Sequence, residues 1–434
     1  MKKIEELVSI FEGYDAKVYG IDISPVLVYL IGNRLKQRGV HNNQRFCAID
    51  CIFRSILLLK SIVGYLSILC IRSKTTLFVS SENNFSDIDG VLYDKVVDPL
   101  YIKDKKCAIK LVFSSYIKSG MKAYPNQWNI SYIIYAFSMP VYIYLKLFAR
   151  FNHEVVKSGK LLCEASKFFD LKAPNYLRAL SIILSGKILF SLLLRMTNIR
   201  KIFVSNAYSL DTISLIIAGN IIGAKTYSIQ HGVQEKGHYA FSFTSNYLHK
   251  NTLPYKYLCW DEFSTNTIRK FAKTKIMGYQ WFEFVRSIYS DKITFCNDGF
   301  EKTVLVTTQP TTGIMIEEIR AMILNNPDTY FFYRLHPSQI SDESFNELEM
   351  FLQGIKNVDY LDASKLALPI LLNESNIHMT GFSSTTLEAF FAKIPTILFH
   401  KKGIEYYKAI MNQDVKVVYV PLKLIPDYSL NGVI

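Results

Sequence analysis

The chain has 434 residues, of which half are hydrophobic and a fifth are charged. This balance excludes a largely disordered protein, and the length predicts two domains because one hydrophobic core seldom serves so many residues. The formal net charge of +13 favours partners that carry negative charge, such as acidic lipid headgroups or phosphorylated substrates. Lys and Arg are dispersed and no nucleic-acid-binding module occurs, so nucleic acid is not an expected partner.

The spacing of Cys and His predicts neither a metal site nor a cofactor site. The seven cysteines form no CxxC pair, and the eight histidines show no HExxH spacing. We expect reduced thiols in a cytoplasmic protein. A GxxxxGK[ST] loop is also absent, which argues against nucleotide hydrolysis of that type.

The first 200 residues are predicted to be mostly helical, with many aromatic side chains beside Lys and Arg. Their predicted elements are helices over 1–40 and 44–72, a buried strand over 75–81, a polar loop over 87–97 and helices over 108–200. The longest apolar run falls short of the roughly 20 residues that span a bilayer. This composition fits a domain face that lies on a membrane surface, and equally an aromatic core with a basic exterior.

From residue 201 onward, short apolar runs alternate with helical patterns. Predicted strands lie at 201–205, 226–230, 257–260, 303–307, 330–335, 358–361, 377–380, 396–399 and 415–420. Such alternation is typical of a parallel sheet built from βαβ units. We therefore predict an α/β protein with two Rossmann-like domains that face each other across a cleft. The predicted domains are 1–285 and 286–434.

Three small polar segments follow predicted strands. They are Gln230-His231-Gly232, Arg334-Leu335-His336-Pro337 and the run from Gly381 to Glu388. Ligands of parallel sheets bind at the carboxyl ends of the strands. We therefore expect the three segments to line one anion-binding site.

The second segment suits a phosphate. Arg334 offers a planar fork of donors and His336 a single N–H, while Pro337 stiffens the turn that holds His336. Gln309 ends the first strand of the second domain and is expected to touch the nucleotide. The alternative is a strand-end His336 that bonds a backbone carbonyl, with Arg334 in a surface salt bridge.

The third segment places hydroxyl side chains at the start of a helix. Ser383, Ser384 and Thr385 would offer O–H and backbone N–H donors to an anion. The alternative is a purely structural helix cap, in which Ser384 or Thr385 caps the helix and Glu388 completes a capping box.

The first segment supplies a candidate base. His231 follows a strand and precedes a glycine, and neutral His is the usual general base near neutral pH. Glu235 in the same loop and Asp211 are alternative bases, although Asp211 also fits a helix cap. A structural His at a domain interface is equally compatible with the position of His231.

The order "QHG", "RLHP" and "GFSSTTLEA" resembles that of GT-B enzymes of bacterial surface polysaccharide assembly. These include capsule-type transferases of Kdo and sialic acid and the CDP-glycerol glycerophosphotransferases, and the resemblance covers residues 200–400. It implies that His336 grips the donor phosphate, that Ser383 and Ser384 bind the same phosphate, and that Glu388 reaches the cytidine ribose. Sialyltransferases of this superfamily carry an acidic pair where this chain has Gln230 and His231.

What the resemblance implies for function is an inverting transfer of an acidic sugar from a CMP-linked donor without a metal ion. The acceptor would be a glycan, carried on a lipid or as an oligosaccharide of capsule, O-antigen or lipopolysaccharide. The enzyme would work in the bacterial cytoplasm, peripherally at the inner membrane. Transfer of a polyol phosphate from a CDP donor, and of a hexose from a UDP or GDP donor, remain alternatives.

Overall fold

The structure is a computed structural model. It describes residues 2–36, 48–71, 73–81, 84–88, 91–113, 122–123, 127–232, 234, 238–289, 299–408, 410–411 and 413–432. The chain divides into two compact units. Unit 1 comprises Met1–Ser86 and Gly90–Met277, and unit 2 comprises Asp87–Asp89 and Gly278–Ile434.

Unit 1 contains a seven-stranded sheet in which every neighbouring pair is parallel. Its strands in chain order are β1 (Thr76–Ser81), β2 (Ala108–Phe113), β3 (Gln127–Asn129), β4 (Lys201–Val204), β5 (Lys225–Ile229), β6 (Lys256–Cys259) and β7 (Lys273–Ile276). Across the sheet they run β7-β6-β5-β4-β1-β2-β3. The chain therefore reverses its direction of winding between β1 and β4.

The helices of unit 1 pack on the faces of this sheet. They are Lys2–Glu12, Ile23–Lys36, Ala48–Leu69, Asp98–Asp104, Ser131–Phe148, His153–Phe168, Tyr176–Met196, Leu210–Ile222 and Glu262–Ile268. Leu77 and Val79 of β1 belong to one buried cluster, while the intervening Phe78 belongs to another. Because both faces of the sheet are buried, its strands read as continuous apolar runs rather than alternating ones.

Two sequence predictions for unit 1 were wrong in part. The segment 108–200 is largely helical as predicted, but it begins with Ala108–Phe113, the inner strand β2. Its apolar run is interrupted by Lys110, which is fully buried and forms an ion pair with the equally buried Asp98 at 2.5 Å. The predicted loop over 87–97 instead contains parts of two short strands, Phe85–Ile88 and Val91–Asp94.

Those two strands form a small three-stranded sheet with Lys122–Ala123. A further pair of short antiparallel strands, Lys17–Val18 and Ile21–Asp22, follows the first helix. Turns of 3-10 helix occur at Ala149–Phe151, Tyr239–Phe241, Ser245–Tyr247, Pro337–Gln339, Leu422–Asp427 and Leu430–Gly432.

Unit 2 is built around a six-stranded, entirely parallel sheet. Its strands are β8 (Lys302–Thr307), β9 (Thr329–Arg334), β10 (Val358–Asp359), β11 (Ile377–Thr380), β12 (Thr396–Leu398) and β13 (Val417–Tyr419). They run β10-β9-β8-β11-β12-β13 across the sheet. This is the 3-2-1-4-5-6 order of the dinucleotide-binding fold, whose switch point lies between its first and fourth strands.

Helices cover the faces of the unit 2 sheet. They are Gln280–Tyr289, Glu317–Asn325, Asp342–Phe351, Leu361–Lys365, Leu368–Asn373, Thr385–Phe391 and Lys401–Tyr407. The domain boundary predicted at residue 286 falls inside Gln280–Tyr289, a helix that belongs to unit 2. Phe282 of this helix packs in the same buried cluster as Leu305 and Phe332 of the sheet.

Candidate functional site

The switch point of unit 2 lies where β8 and β11 end side by side. Gln309 follows β8, and its Oε1 atom accepts a 2.7 Å hydrogen bond from the backbone N–H of Phe382, which follows β11. A methyl group at Gly381 would lie 2.8 Å from the same Oε1 atom and 3.1 Å from the Thr312 side chain. Gly381 is therefore required by the close approach of the Gln309 amide. Gln309, predicted to contact the nucleotide, holds the two switch-point loops together through its carbonyl oxygen.

His336 ends the adjacent strand β9 and has a defined tautomer. Its Nδ1 atom accepts from the backbone N–H of Ser338 at 3.2 Å and lies 2.8 Å from the Ser338 hydroxyl. Because Nδ1 is a hydrogen-bond acceptor here, the proton of the neutral ring lies on Nε2. Burial, and secondarily the nearby positive charge of Arg334, lower the pKa of His336 below its usual range. The half-buried ring is therefore a neutral N–H donor, stiffened by Pro337 at the start of the 3-10 turn.

Arg334 binds the protein itself through part of its guanidinium group. Its Nη1 atom donates to the backbone carbonyls of Ala363 and Leu366, each at 2.6 Å. Burial lowers the pKa of Arg334 to about 10, an effect opposed by the negative charge of Glu388. Neither the surface salt bridge nor the fully exposed fork of donors is observed, because one nitrogen already binds two carbonyls at the C-terminal end of the helix Leu361–Lys365.

Glu388 lies one turn into the helix Thr385–Phe391 and bonds the hydroxyl of Tyr279 through Oε2. Tyr279 is partly buried, and burial together with the charge of Glu388 raises its pKa well above the usual range. The phenol therefore stays protonated and donates to the carboxylate. The predicted capping box is not formed, because the Glu388 carboxylate binds this tyrosine.

The hydroxyls of the third segment divide into two groups. Ser384 occupies the N-cap position, but its side chain makes no capping bond and is exposed. Ser383 Oγ accepts from the backbone N–H of Thr385 at 3.3 Å. Thr385 instead points inward, with Oγ1 3.0 Å from the Thr307 hydroxyl and 3.3 Å from Nε2 of His378. The structure thus leaves Ser383 and Ser384 at the switch point and uses Thr385 in an internal network.

Three residues near the switch point were missed by the sequence analysis. The Tyr407 hydroxyl donates to the Ser383 carbonyl at 2.6 Å and so fixes the loop. The ring centroids of His400 and Phe382 are 4.9 Å apart, and Nζ of Lys402 lies 5.3 Å from the Phe382 ring centroid. The sequence could have indicated two of them, because His400 and Lys402 come soon after β12, just as the three polar segments follow their strands.

In unit 1, His231 follows β5 and bonds Tyr208, which follows β4. The Tyr208 hydroxyl lies 3.0 Å from His231 Nε2. Burial raises the pKa of Tyr208 to about 12, so the phenol is neutral at physiological pH. The rings of His238, Tyr239 and Phe241 surround Tyr208 at centroid distances of 5.2 to 6.2 Å. An aromatic cluster therefore fixes the orientation of the His231 imidazole.

The other residues predicted for the site in unit 1 are Gln230, Asp211 and Glu235. Gln230 is buried and links the strand ends, donating to Gly232 O and Ser264 Oγ at 2.9 Å and accepting from Trp260 N at 2.7 Å. Asp211 is buried in the first turn of Leu210–Ile222, where Oδ2 accepts from Tyr135 at 3.2 Å. Burial raises the pKa of Asp211 to about 6. Glu235 lies outside the described residues.

A pocket of about 320 Å³ in unit 1 contains none of the predicted site residues. Its lining includes Ile221, Leu253, Tyr255, Phe271 and Lys273, which lie around the first residues of β6 and β7. It therefore opens at the edge of the sheet opposite to His231. Among the described residues, no group of three or more His, Cys, Asp or Glu side chains could hold a metal ion.

Comparisons with known proteins support the fold. No protein-family model and no curated protein matches the chain. Among solved structures, the UDP-GlcNAc 2-epimerase of Neisseria meningitidis bound to UDP-GlcNAc has a TM-score of 0.50 and 13% identity, over 81% of this chain and 89% of that one. A second UDP-N-acetylglucosamine 2-epimerase has a TM-score of 0.50 and 11% identity, over 83% and 87%. The calicheamicin glycosyltransferase CalG4 has a TM-score of 0.42 and 10% identity, over 84% and 90%.

At this level of identity the likeness concerns the fold alone. Solved structures similar to this chain include nucleotide-sugar epimerases and glycosyltransferases of the GT-B superfamily. The predicted α/β architecture with two Rossmann-like units is confirmed. The resemblance to capsule-type transferases of Kdo and sialic acid stays a prediction. The chain has the GT-B fold.

Proposed function

We propose that the chain is a glycosyltransferase that uses a nucleotide-activated sugar, with the nucleotide bound at the switch point of unit 2. One observation carries the proposal: His336 ends a strand beside the switch point as a neutral ring whose Nε2 holds the proton. Such an N–H is a directional donor to a phosphate oxygen. The exposed hydroxyl of Ser384 and the neighbouring Ser383 supply further donors.

The donor we propose is a CMP-linked acidic sugar of the sialic acid or Kdo type. Glu388 would accept hydrogen bonds from the ribose hydroxyls, since Tyr279 already orients its carboxylate. Arg334, with Nη1 bound to the protein, would act mainly through its positive charge close to Glu388 and His336. Neither a metal ion nor another cofactor is part of the proposal.

The base we propose is His231. Neutral His is the usual general base near neutral pH, and the Tyr208 hydroxyl orients this ring, which would take the proton of an acceptor hydroxyl. The acceptor oxygen then bonds to the anomeric carbon on the face opposite to the leaving group, which inverts the configuration. The bond between that carbon and the phosphate oxygen breaks, and CMP leaves with the electron pair. His336 Nε2–H, Ser383 and Ser384 stabilise the charge that builds up on the phosphate.

The acceptor would be a glycan of capsule, O-antigen or lipopolysaccharide, either lipid-linked or free as an oligosaccharide. An enzyme with a lipid-linked acceptor must work at a membrane. We therefore place the reaction in the bacterial cytoplasm at the inner membrane surface.

Two alternatives keep the same nucleotide site. One is transfer of a polyol phosphate from CDP-glycerol, and the other is chemistry on a UDP- or GDP-hexose. The second is favoured by the fold shared with an epimerase that binds UDP-GlcNAc. A 2-epimerase would change the sugar of such a donor without any acceptor, whereas a transferase would require one.

A donor panel tests the proposal. The purified protein is incubated with CMP-sialic acid, CMP-Kdo, CDP-glycerol, UDP-GlcNAc and GDP-mannose, each with and without an oligosaccharide acceptor from a bacterial surface polysaccharide. Nucleotide release and sugar products are measured. We expect release of CMP from CMP-sialic acid or CMP-Kdo that is lost in His336→Ala and His231→Ala and retained in His153→Ala, a control at an exposed histidine. Release of CMP from neither of these two donors, or equal activity in His336→Ala, would contradict the proposal. Acceptor-independent epimerisation of UDP-GlcNAc would replace it with the epimerase alternative.

A further inference from the structure

A long helix of unit 1 exposes an apolar stripe. This helix, Ser131–Phe148, continues in the 3-10 turn Ala149–Phe151. The combined segment Ser131–Phe151 is apolar and long enough to cross a membrane, yet only 28% of its most apolar window is buried. By contrast, 61% of the corresponding window of Tyr176–Met196 is buried. The side chains that face solvent recur at helical spacing: Phe137, Ile143, Tyr144, Leu147, Phe148 and Phe151, the last being 73% exposed.

Two further helices pack against this one and expose apolar side chains of their own. Ile188, Leu192 and Met196 are exposed on Tyr176–Met196, and Leu59, Val63 and Leu66 on Ala48–Leu69. The three helices are joined by hydrogen bonds: Ile133 N donates to Ser61 Oγ at 3.2 Å, and Tyr65 donates to the Leu189 carbonyl at 2.7 Å. The exposed stripes of 55–69, 131–151 and 176–196 are together called the helical face.

The helical face carries a net positive charge because it has no acidic residues. Its three segments contain six Lys or Arg and not one Asp or Glu. Lys60, Lys146, Arg150 and Arg195 are exposed among the apolar side chains. Arg150 lies 4.8 Å from the ring centroid of Phe151, so a cation and an aromatic ring stand together at the end of the stripe. Aromatic rings and long cationic side chains are the residues that settle at the headgroup level of a bilayer.

We propose that the helical face docks on the surface of an anionic lipid bilayer. Apolar side chains would enter the boundary between headgroups and acyl chains, while the exposed cations would contact anionic headgroups. A second copy of the chain is a poorer occupant, because a symmetric dimer would place the cations of one face against those of the other.

The segment Ser131–Phe151 lies on the bilayer rather than across it. Ile133, Ile134, Leu145 and Ala149 on its other side are buried in the cores of unit 1. Crossing the membrane would pull these side chains out of the protein. The docking goes beyond the proposed reaction, because it needs neither donor nor acceptor. The docking proposal can therefore be wrong while the transferase proposal is right, and the transferase proposal can be wrong while the docking proposal is right.

Vesicle co-sedimentation without substrate tests the docking. Vesicles contain phosphatidylcholine alone, or phosphatidylcholine and phosphatidylglycerol in equal parts. We expect salt-sensitive binding to the anionic vesicles. The double variant Leu147→Ser with Phe151→Ser removes two inserting side chains and should weaken binding by about tenfold or more. Lys146→Gln with Arg150→Gln should weaken binding to anionic vesicles by about tenfold, and binding to neutral vesicles by much less.

Matched controls come from unit 2. Met350→Ser removes an apolar side chain that is 69% exposed, and Lys423→Gln removes an exposed cation; both should leave vesicle binding unchanged. All variants alter exposed side chains, so circular dichroism melts should coincide with that of the wild type. The proposal is overturned if the wild type binds no anionic vesicle, or if the helical-face variants bind as the controls do. Sedimentation velocity that reveals a dimer dissolved by these variants would assign the face to self-association instead.

Discussion

Replacement of His378 should remove a large part of the acid sensitivity of the protein. His378 is a fully buried residue of β11, directly before the switch-point loop. Its Nε2 atom lies 3.0 Å from the Thr307 hydroxyl, and Nδ1 lies 3.3 Å from the Thr396 hydroxyl. No carboxylate accompanies it in these contacts, so a proton on this ring would be a buried charge without a partner.

The size of the effect follows from linkage. Burial lowers the pKa of His378 to about 3, whereas an unfolded histidine titrates near 6.5. Between these values the unfolded chain binds a proton that the folded chain does not, so stability falls as the pH falls. From about pH 8 to about pH 5 this single group should remove roughly 2 kcal/mol from the free energy of unfolding.

The assay is urea unfolding of the wild type and His378→Gln across this pH range. Gln keeps a polar side chain among the hydroxyls but does not titrate, so any constant cost of the substitution appears equally at each pH. The wild-type advantage should therefore shrink by roughly 2 kcal/mol between about pH 8 and about pH 5. His153→Gln, at a side chain that is 83% exposed, is the matched control and should leave the pH dependence of stability unchanged.

A stability difference that stays constant with pH would refute the reasoning. In that case His378 would either be protonated in the folded protein or be reached by water. The same outcome would remove the explanation given for Thr385, whose hydroxyl shares Nε2 of His378 with Thr307.

Three further predictions concern the two candidate sites. Gly381→Ala should destabilise the protein by about 1–3 kcal/mol in urea unfolding and weaken nucleotide binding, because the new methyl group meets Gln309 Oε1 at 2.8 Å. Tyr208→Phe should lower kcat about fivefold to tenfold without changing the KM for the donor, because the hydroxyl that orients His231 is lost. His336→Ala should weaken nucleotide affinity roughly tenfold to a hundredfold in calorimetry. Wild-type affinity should stay constant from about pH 6.5 to 8, because the lowered pKa of His336 keeps its ring neutral there.

Two of these changes have a matched control. Gly159→Ala, where the methyl group would find an ordinary contact at 3.5 Å inside a helix, should not destabilise the protein. Tyr65→Phe removes another buried tyrosine hydrogen bond, at 2.7 Å to Leu189, and should leave kcat unchanged. A loss of nucleotide affinity as the pH rises through about 6.5 would mean that His336 binds as a cation, contrary to its predicted state.

Much of the fold could be predicted because buried parallel strands are continuous apolar runs. The runs that became β1, β4, β8 and β11 were all recognisable, and polar residues marked their ends. The strand β2 was missed for the opposite reason. Lys110 interrupts its run, and only the buried Asp98, 12 residues earlier in the chain, makes that lysine compatible with the core.

For the candidate site, the residues could be predicted from the sequence, but their hydrogen-bond partners could not. Residue type and position after a strand pointed to His231, His336 and Ser383. Their hydrogen-bond partners were not predictable, because Tyr208 lies 23 residues from His231 and Tyr279 lies 109 residues from Glu388. The alternative of a capping box was wrong because the Glu388 carboxylate binds Tyr279, which is distant in the chain, instead of the backbone at the start of its own helix.

The sequence by itself determined which segments are buried strands and which side chains stand at their carboxyl ends, since both follow from local hydrophobicity and chain order. Only the tertiary structure decided which donors are available to a ligand. One nitrogen of Arg334 and the hydroxyl of Thr385 are engaged within the protein, whereas the hydroxyl of Ser384 is exposed. The physical reason is that a polar group buried by folding must find a partner, and that partner is chosen by packing between segments far apart in the chain.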